Sequence, residues 1–182
     1  MMMQDEIDKL IDIINEIQID RTQDHLKNIR KFQQNKFSIP FIINNNEYEF
    51  VIVETELDNE SKIASVVFKN MTAMKSVTRN DGESMDSYNS RIQNNKFGIT
   101  NTGNSMRVFS KVINIFIAYL EKYKPSFIQY FAEEDNRKRL YNKLLDRVKS
   151  KASIKFIPQS LDPISGNSTQ SSEFVFKLEF NS

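Results

Sequence analysis

From residue 96 onward the sequence switches repeatedly between the period of a strand and that of a helix, and this alternation restricts the possible folds more than any other feature. Residues 96–99 form a short extended stretch, the turn TNTGNS follows, and residues 106–123 carry a helical stripe. Phe109, Val112, Ile113, Phe116, Ile117 and Leu120 stand at i, i+3, i+4, i+7, i+8 and i+11, with Ile115 and Tyr119 widening the apolar face. Such a face is broad enough to lie across a sheet. Lys122 and Lys124 suit a helix C-terminus, and Pro125 ends the helix. The run SFIQYFA then reads as a parallel strand covered on both faces. Glu133, Glu134 and Asp135 open a further helix with the sign that its dipole favours, and Leu140, Leu144 and Val148 carry it to Lys149. A strand, a crossover helix and a following strand of one sheet run parallel, so residues 96–99 and 127–131 are expected to be parallel neighbours.

The N-terminal third has a different pattern. In residues 4–18, Ile7, Leu10, Ile11, Ile14 and Ile17 fall at helical spacing, with Asp5, Glu6, Asp8, Asp12 and Glu16 on the other side. Residues 20–33 place Leu26, Ile29 and Phe32 on one stripe behind a capping box of Asp20 and Gln23, which predicts a second helix. FSIPFII and EYEFVIVE are then strands of a hairpin around Asn44, Asn45 and Asn46, and residues 62–69 add a third strand. Residues 72–96 show no sustained apolar period and are expected to form a long surface excursion. Two last strands are expected at residues 154–157 and 173–180, with Phe174, Phe176, Leu178 and Phe180 on one face of the second. The expected core comprises Phe109, Val112, Phe116, Ile117, Leu120, Ile128, Phe131, Leu140, Leu144, Phe174 and Phe176.

Composition then removes function classes. The 182 residues suit one domain, and 39% apolar with 27% charged residues suits a packed core. Lys and Arg number 25 against 24 Asp and Glu, which excludes a general polyelectrolyte role on nucleic acid. No Cys means no disulfide, thiol nucleophile or thiolate metal site, and a single His25 excludes a multi-His centre, so no metal is expected. His25 itself is expected on the surface of the second helix. The start MMMQDEIDKL has neither a basic n-region nor an apolar h-region, and no apolar run reaches the ~20 residues of a membrane span. The expected place is the cytoplasm of the cell that makes the protein, with no membrane partner.

The order of helices, hairpin, strand, glycine turn, helix, strand, helix and two strands resembles the GNAT acetyltransferase family over residues 37–180. In that family a turn of the form Gln/Arg-x-x-Gly-x-Gly/Ala cradles the coenzyme A pyrophosphate. Gly103 takes the central glycine, with Thr100 where Gln or Arg is usual and Ser105 where Gly or Ala is usual. The resemblance implies cofactor contacts from Thr100, Thr102, Gly103, Asn104, Ser105 and Asn136, and a general acid at Tyr141. Asn136 stands five residues before Tyr141, and Leu145 and Asp146 replace the usual Gly-Phe. The implied fold is an α+β or α/β domain with a GNAT-like mixed central sheet of about six strands and helices on both faces. Residues 1–36 are expected as two N-terminal helices packed on this one domain, with residues 37–182 as its α/β body. The strings KFGITNTGNSMRVFSKV and RKRLYNKLLDRV are also similar to uncharacterised proteins of tailed bacteriophages, which implies host cytoplasm and the virion as locations.

Two function classes follow. One is a non-catalytic phage structural or virion-accessory protein without a cofactor, built on the acetyltransferase-like fold; the departures from the family's pattern favour it. Its contacts with other virion proteins or with copies of itself are expected at Met74, Val77, Met85, Tyr88 and Ile92, and between the acidic first helix and the basic stretch of Arg137, Lys138, Arg139, Lys143, Arg147, Lys149 and Lys151. The same stretch is the place for any nucleic-acid contact. The other class is an acetyl-CoA-dependent N-acetyltransferase. Among candidate bases, Glu47 and Glu49 share one face of the hairpin and Glu54 the other, and all are expected to face solvent. An opening between the parallel strands discriminates the two.

Overall fold

The computed structural model describes residues 4–32, 35–57, 60–95, 104–132, 135–159 and 172–181. Its centre is a mixed seven-stranded sheet in the order β1-β2-β3-β4-β5-β7-β6. The strands are β1 (Arg30–Phe32), β2 (Lys36–Ile43), β3 (Asn46–Glu56), β4 (Lys62–Asn70), β5 (Phe127–Ala132), β6 (Ile154–Gln159) and β7 (Ser172–Phe180). Helices α1 (Gln4–Glu16), α2 (Met71–Lys75), α3 (Met85–Asn95), α4 (Ser105–Tyr123) and α5 (Asp135–Lys151) complete the described elements. The hairpin forms as expected. Asn44 and Asn45 take positive φ, at 47° and 63°, so that Ile43 pairs with Asn46 across a two-residue turn.

The parallel pair exists, but its first member differs from the expected one. β4 runs parallel to β5, with Ile63, Ala64 and Ser65 opposite Phe127, Ile128 and Gln129, and β7 takes the other edge of β5. Residues 96–99 lie outside the described residues. The chain reaches the crossover helix α4 from β4 through α2 and α3. The expected surface excursion at residues 72–96 is thus largely helical. Asn70 caps α2 by accepting from the Ala73 N–H at 2.9 Å, a local signal that starts a helix despite weak apolar patterning.

The predicted second N-terminal helix is absent. Asp20 Oδ1 accepts from the Thr22 N–H at 2.8 Å, and Asp24 Oδ1 accepts from the Leu26 N–H at 3.0 Å. These side chains offer the backbone Asx turns in place of a helix. The edge of β2 then takes up residues 30–32 as β1, which raises the strand count to seven.

Register shows which side of the sheet the helices cover. Phe37, Ile39, Phe41, Tyr48, Phe50, Ile52, Glu54, Phe68, Ala64, Ile128, Tyr130 and Phe176 share one face. α4 packs there through Phe116 on Phe50, at 5.8 Å between ring centroids, and α5 through Tyr141 on Tyr130 at 5.5 Å. α1 lies on α4 and α5 in turn. The long helices therefore occupy one face, where coverage of both was expected. With α1 outside and the sheet beneath, α4 is enclosed: Val108, Phe109, Val112, Ile113, Asn114, Ile115, Phe116, Ile117, Tyr119 and Leu120 are all buried.

The expected core is buried at Phe109, Val112, Phe116, Ile117, Leu120, Ile128, Leu140 and Phe176. On α5 Leu145 and Val148 are buried as well, with Leu144 only half-buried, because α1 presses on that helix from a second side. The side chains of Phe131 and Phe174 lie outside the described residues. Phe116 is 8% exposed in the middle of the enclosed helix. Phe116→Ala should lower the free energy of unfolding by about 3–5 kcal/mol, read from the midpoint of urea denaturation; a loss below about 1 kcal/mol would exclude this packing.

Candidate functional site

The candidate site is the end of the sheet at which β4 and β5 stop pairing. The two strands share only the positions from Ile63↔Phe127 to Ser65↔Gln129. β4 continues to Asn70 on β3, and β5 continues to Ala132 on β7. Past Ser65 and Gln129, among the described residues, each strand keeps its outer neighbour alone, and the inner edges share no ladder bonds.

Two helix starts lie at this end of the sheet. The β2–β3 turn lies at the Asn70 end of the sheet, since Tyr48 pairs with Asn70. Asn44 of that turn donates from Nδ2 to Oδ1 of Asn104, the residue before α4, and accepts from Arg107 at 3.4 Å. The Asn104 side chain makes no cap hydrogen bond to the first turn of α4. α5 also starts here, directly after β5. Two positive dipole ends and Arg107 thus share the C-terminal end of the parallel pair, an arrangement suited to an anion.

Tyr141 is on the inner side of α5, tilted against Tyr130, whose hydroxyl donates to Asn142 Oδ1. Burial, with a smaller contribution from the charge of Asp146, holds the Tyr130 phenol well above the usual tyrosine range and keeps it a neutral donor. Of the positions implied by the resemblance, Tyr141, Asn104 and Ser105 lie at this end, and the latter two are buried. Thr100, Thr102 and Gly103 lie outside the described residues. Asn136 is placed in the first turn of α5, and its side chain lies outside them.

The hairpin carboxylates have partners. Glu47 pairs with Lys75. Glu49 accepts from Ser38 Oγ at 2.5 Å and lies 3.8 Å from Lys69. Glu54, expected to face solvent, is buried: it accepts from the Tyr119 hydroxyl at 2.7 Å and from Lys62 at 3.4 Å. Burial first, and this carboxylate second, push the Tyr119 phenol far up. Sequence alternation had the signal for Glu54, which follows Tyr48, Phe50 and Ile52 on the core face. His25 is likewise buried, in a turn. Its Nε2–H donates to the Asp20 carbonyl at 2.6 Å, and Nδ1 accepts from Lys111 at 3.3 Å. Among the described residues no three His, Asp or Glu side chains gather as a metal site, and no helix is long and apolar enough to cross a membrane.

Opposite charges on α1 and α5, expected to join separate copies, meet inside one chain. Arg139 bonds Asp8 at 2.8 Å, and Arg147 donates to the Ile17 carbonyl at 2.9 Å. Lys149 lies over the Phe176 ring, 4.6 Å from its centroid. Of the expected contact residues, Val77 is buried and Met85 is 53% exposed, while Met74, Tyr88 and Ile92 are half-buried. The connection between α2 and α3 is held by its own residues. Arg91 grips both oxygens of Glu83, at 2.7 and 2.6 Å, and also reaches the Thr78 carbonyl at 2.7 Å.

That cluster has a pH signature. Hydrogen bonds from Arg91, then from the Asn80 N–H, hold the Glu83 carboxyl down at about 2. A carboxyl whose folded value is depressed contributes stability above its unfolded value and loses it as pH falls through the folded one. Amide exchange across residues 77–92 should therefore accelerate as pH is lowered from above the ordinary glutamate value of about 4.3, after correction for intrinsic rates. Glu83→Gln should remove that pH dependence; an unchanged profile would show that the cluster does not order the connection.

The chain matches no protein-family model, no curated protein and no solved structure.

Proposed function

We propose that the chain is a GNAT-like acetyltransferase whose opening between β4 and β5 receives acetyl-coenzyme A for transfer of the acetyl group to an amine. The observation that carries this reading is the parting of two parallel strands that both continue. Their facing edges offer N–H and C=O groups to an extended, amide-containing arm. The start of α4, with Arg107, lies at the same end of the sheet and is the part of the chain suited to the pyrophosphate. Tyr141 is the acid of this site. In the transfer, the amine nitrogen bonds to the thioester carbonyl carbon and gives up one proton to water, the carbon–sulfur bond breaks, and the tyrosine proton goes to the departing thiolate, the tyrosine regaining a proton from water.

The second reading is a non-catalytic virion-accessory protein on the same fold, its surfaces meeting other subunits. The engagement of Glu47, Glu49 and Glu54 by Lys75, Ser38 and Tyr119 favours it, because each hairpin carboxylate is committed to a neighbour.

Thermal denaturation with coenzyme A separates the two. Binding to the folded state alone stabilises by RT ln(1 + [L]/Kd), about 2.7 kcal/mol at a hundredfold excess over Kd. A rise in Tm is expected for the wild type and none for Gly103→Glu. No rise in the wild type would leave the accessory reading.

A further inference from the structure

The ladder of β4 and β5 ends at a pair of residues that also share a side-chain hydrogen bond. On the helix-covered face, Phe68 of β4 stacks with Tyr48 at 5.7 Å and Phe41 at 6.4 Å, both on the side of β4 away from β5. On the other strand, Tyr130 packs on Phe176 of β7 at 6.4 Å and on Tyr141 of α5 at 5.5 Å. These rings belong to one continuous core, so their packing does not by itself set where the ladder ends. Ser65 and Gln129, the last paired residues, are directly opposite each other, and register turns both to the face without the long helices. There Gln129 Nε2 donates to Ser65 Oγ.

We propose that the Ser65–Gln129 bridge is the pin that fixes the point at which β4 and β5 part, and with it the depth of the opening between them. The role is one of positioning, since neither group faces the helices that close over the opening. Without the bridge, this last pair is held by ladder bonds alone, and the parting point retreats toward Ile63 and Phe127. The consequence for a ligand rests on the proposed coenzyme A reading. The consequence for the ladder does not.

The test compares wild type with Ser65→Ala, which removes the hydroxyl, and Ser65→Thr, which keeps it on a residue suited to strands. Without ligand, Ser65→Ala should speed amide exchange about tenfold at residues 64–66 and 128–130, with the β5–β7 ladder and the Tm little changed, and Ser65→Thr should restore protection. Gln129→Ala should act as Ser65→Ala does. Unchanged exchange in both alanine variants overturns the proposal, and so does a uniform acceleration across the whole sheet, which would mark general destabilisation. With coenzyme A, Ser65→Ala should weaken binding about tenfold and Ser65→Thr by less than about twofold. Equal affinity in all three overturns the link between pin and depth. A wild type that does not bind coenzyme A sinks the acetyltransferase reading, while the ligand-free exchange still decides the pin.

Discussion

The enclosure of α4 is the constraint on which the rest of the structure depends. A helix with so broad an apolar surface cannot satisfy it against a sheet alone, so it needs cover on its outer side too. α1 supplies that cover, and the turns that follow α1 tie down over the helix: the Asp20 N–H donates to Asn114 of α4 at 2.8 Å, and Lys111 of α4 reaches His25. Asn114 is a polar residue in a buried position, and it is tolerated because its amide also donates to the Ser110 carbonyl at 2.7 Å. Lys111 loses part of its hydration in this arrangement, which lowers its pKa, burial being the largest cause. The N-terminal segment is therefore part of the helical layer.

Placing α1, α4 and α5 on one side gives the sheet unequal faces. The covered face holds the aromatic residues, and the other carries shorter side chains such as Ser38, Val51, Ser65 and Val67. Aromatic pairs on the covered face link β2, β3 and β4 on one side and β5, β7 and α5 on the other, within one continuous core. The one parallel junction of adjacent strands among the described residues lies between β4 and β5.

Charge is used mainly within the chain. Arg139 and Arg147 of α5 reach α1 and the backbone carbonyl that follows it, and Glu47, Glu49 and Glu54 of the hairpin each have a partner. Exposed pairs of this kind contribute about 0–1 kcal/mol each, so they set geometry more than stability. The buried contact of Glu54 with Tyr119 differs, because removing either partner strands a polar group in the core.

The sequence by itself determined the elements whose signal is local and periodic. The stripe of α4, its end at Lys124 and Pro125, the Asn-rich hairpin turn and the alternating strands follow from the spacing of side chains along one segment. Lys124 adopts the left-handed conformation of a helix end, as the following proline requires the helix to stop. What only the tertiary structure decided are the choices between partners. Leu26, Ile29 and Phe32 fit a helix by spacing, but two Asx turns and the free edge of β2 offered the backbone better hydrogen bonds. Residues 72–96 lack an apolar stripe because α3 has little contact with the core, and their order comes from Glu83 and Arg91 instead. Tyr141 was legible as a candidate, whereas Tyr130, Asn142, Ser65 and Gln129 were not, since their roles arise from which strands lie side by side. Pairing between distant strands depends on the summed packing of both faces, and no local window of sequence contains that sum.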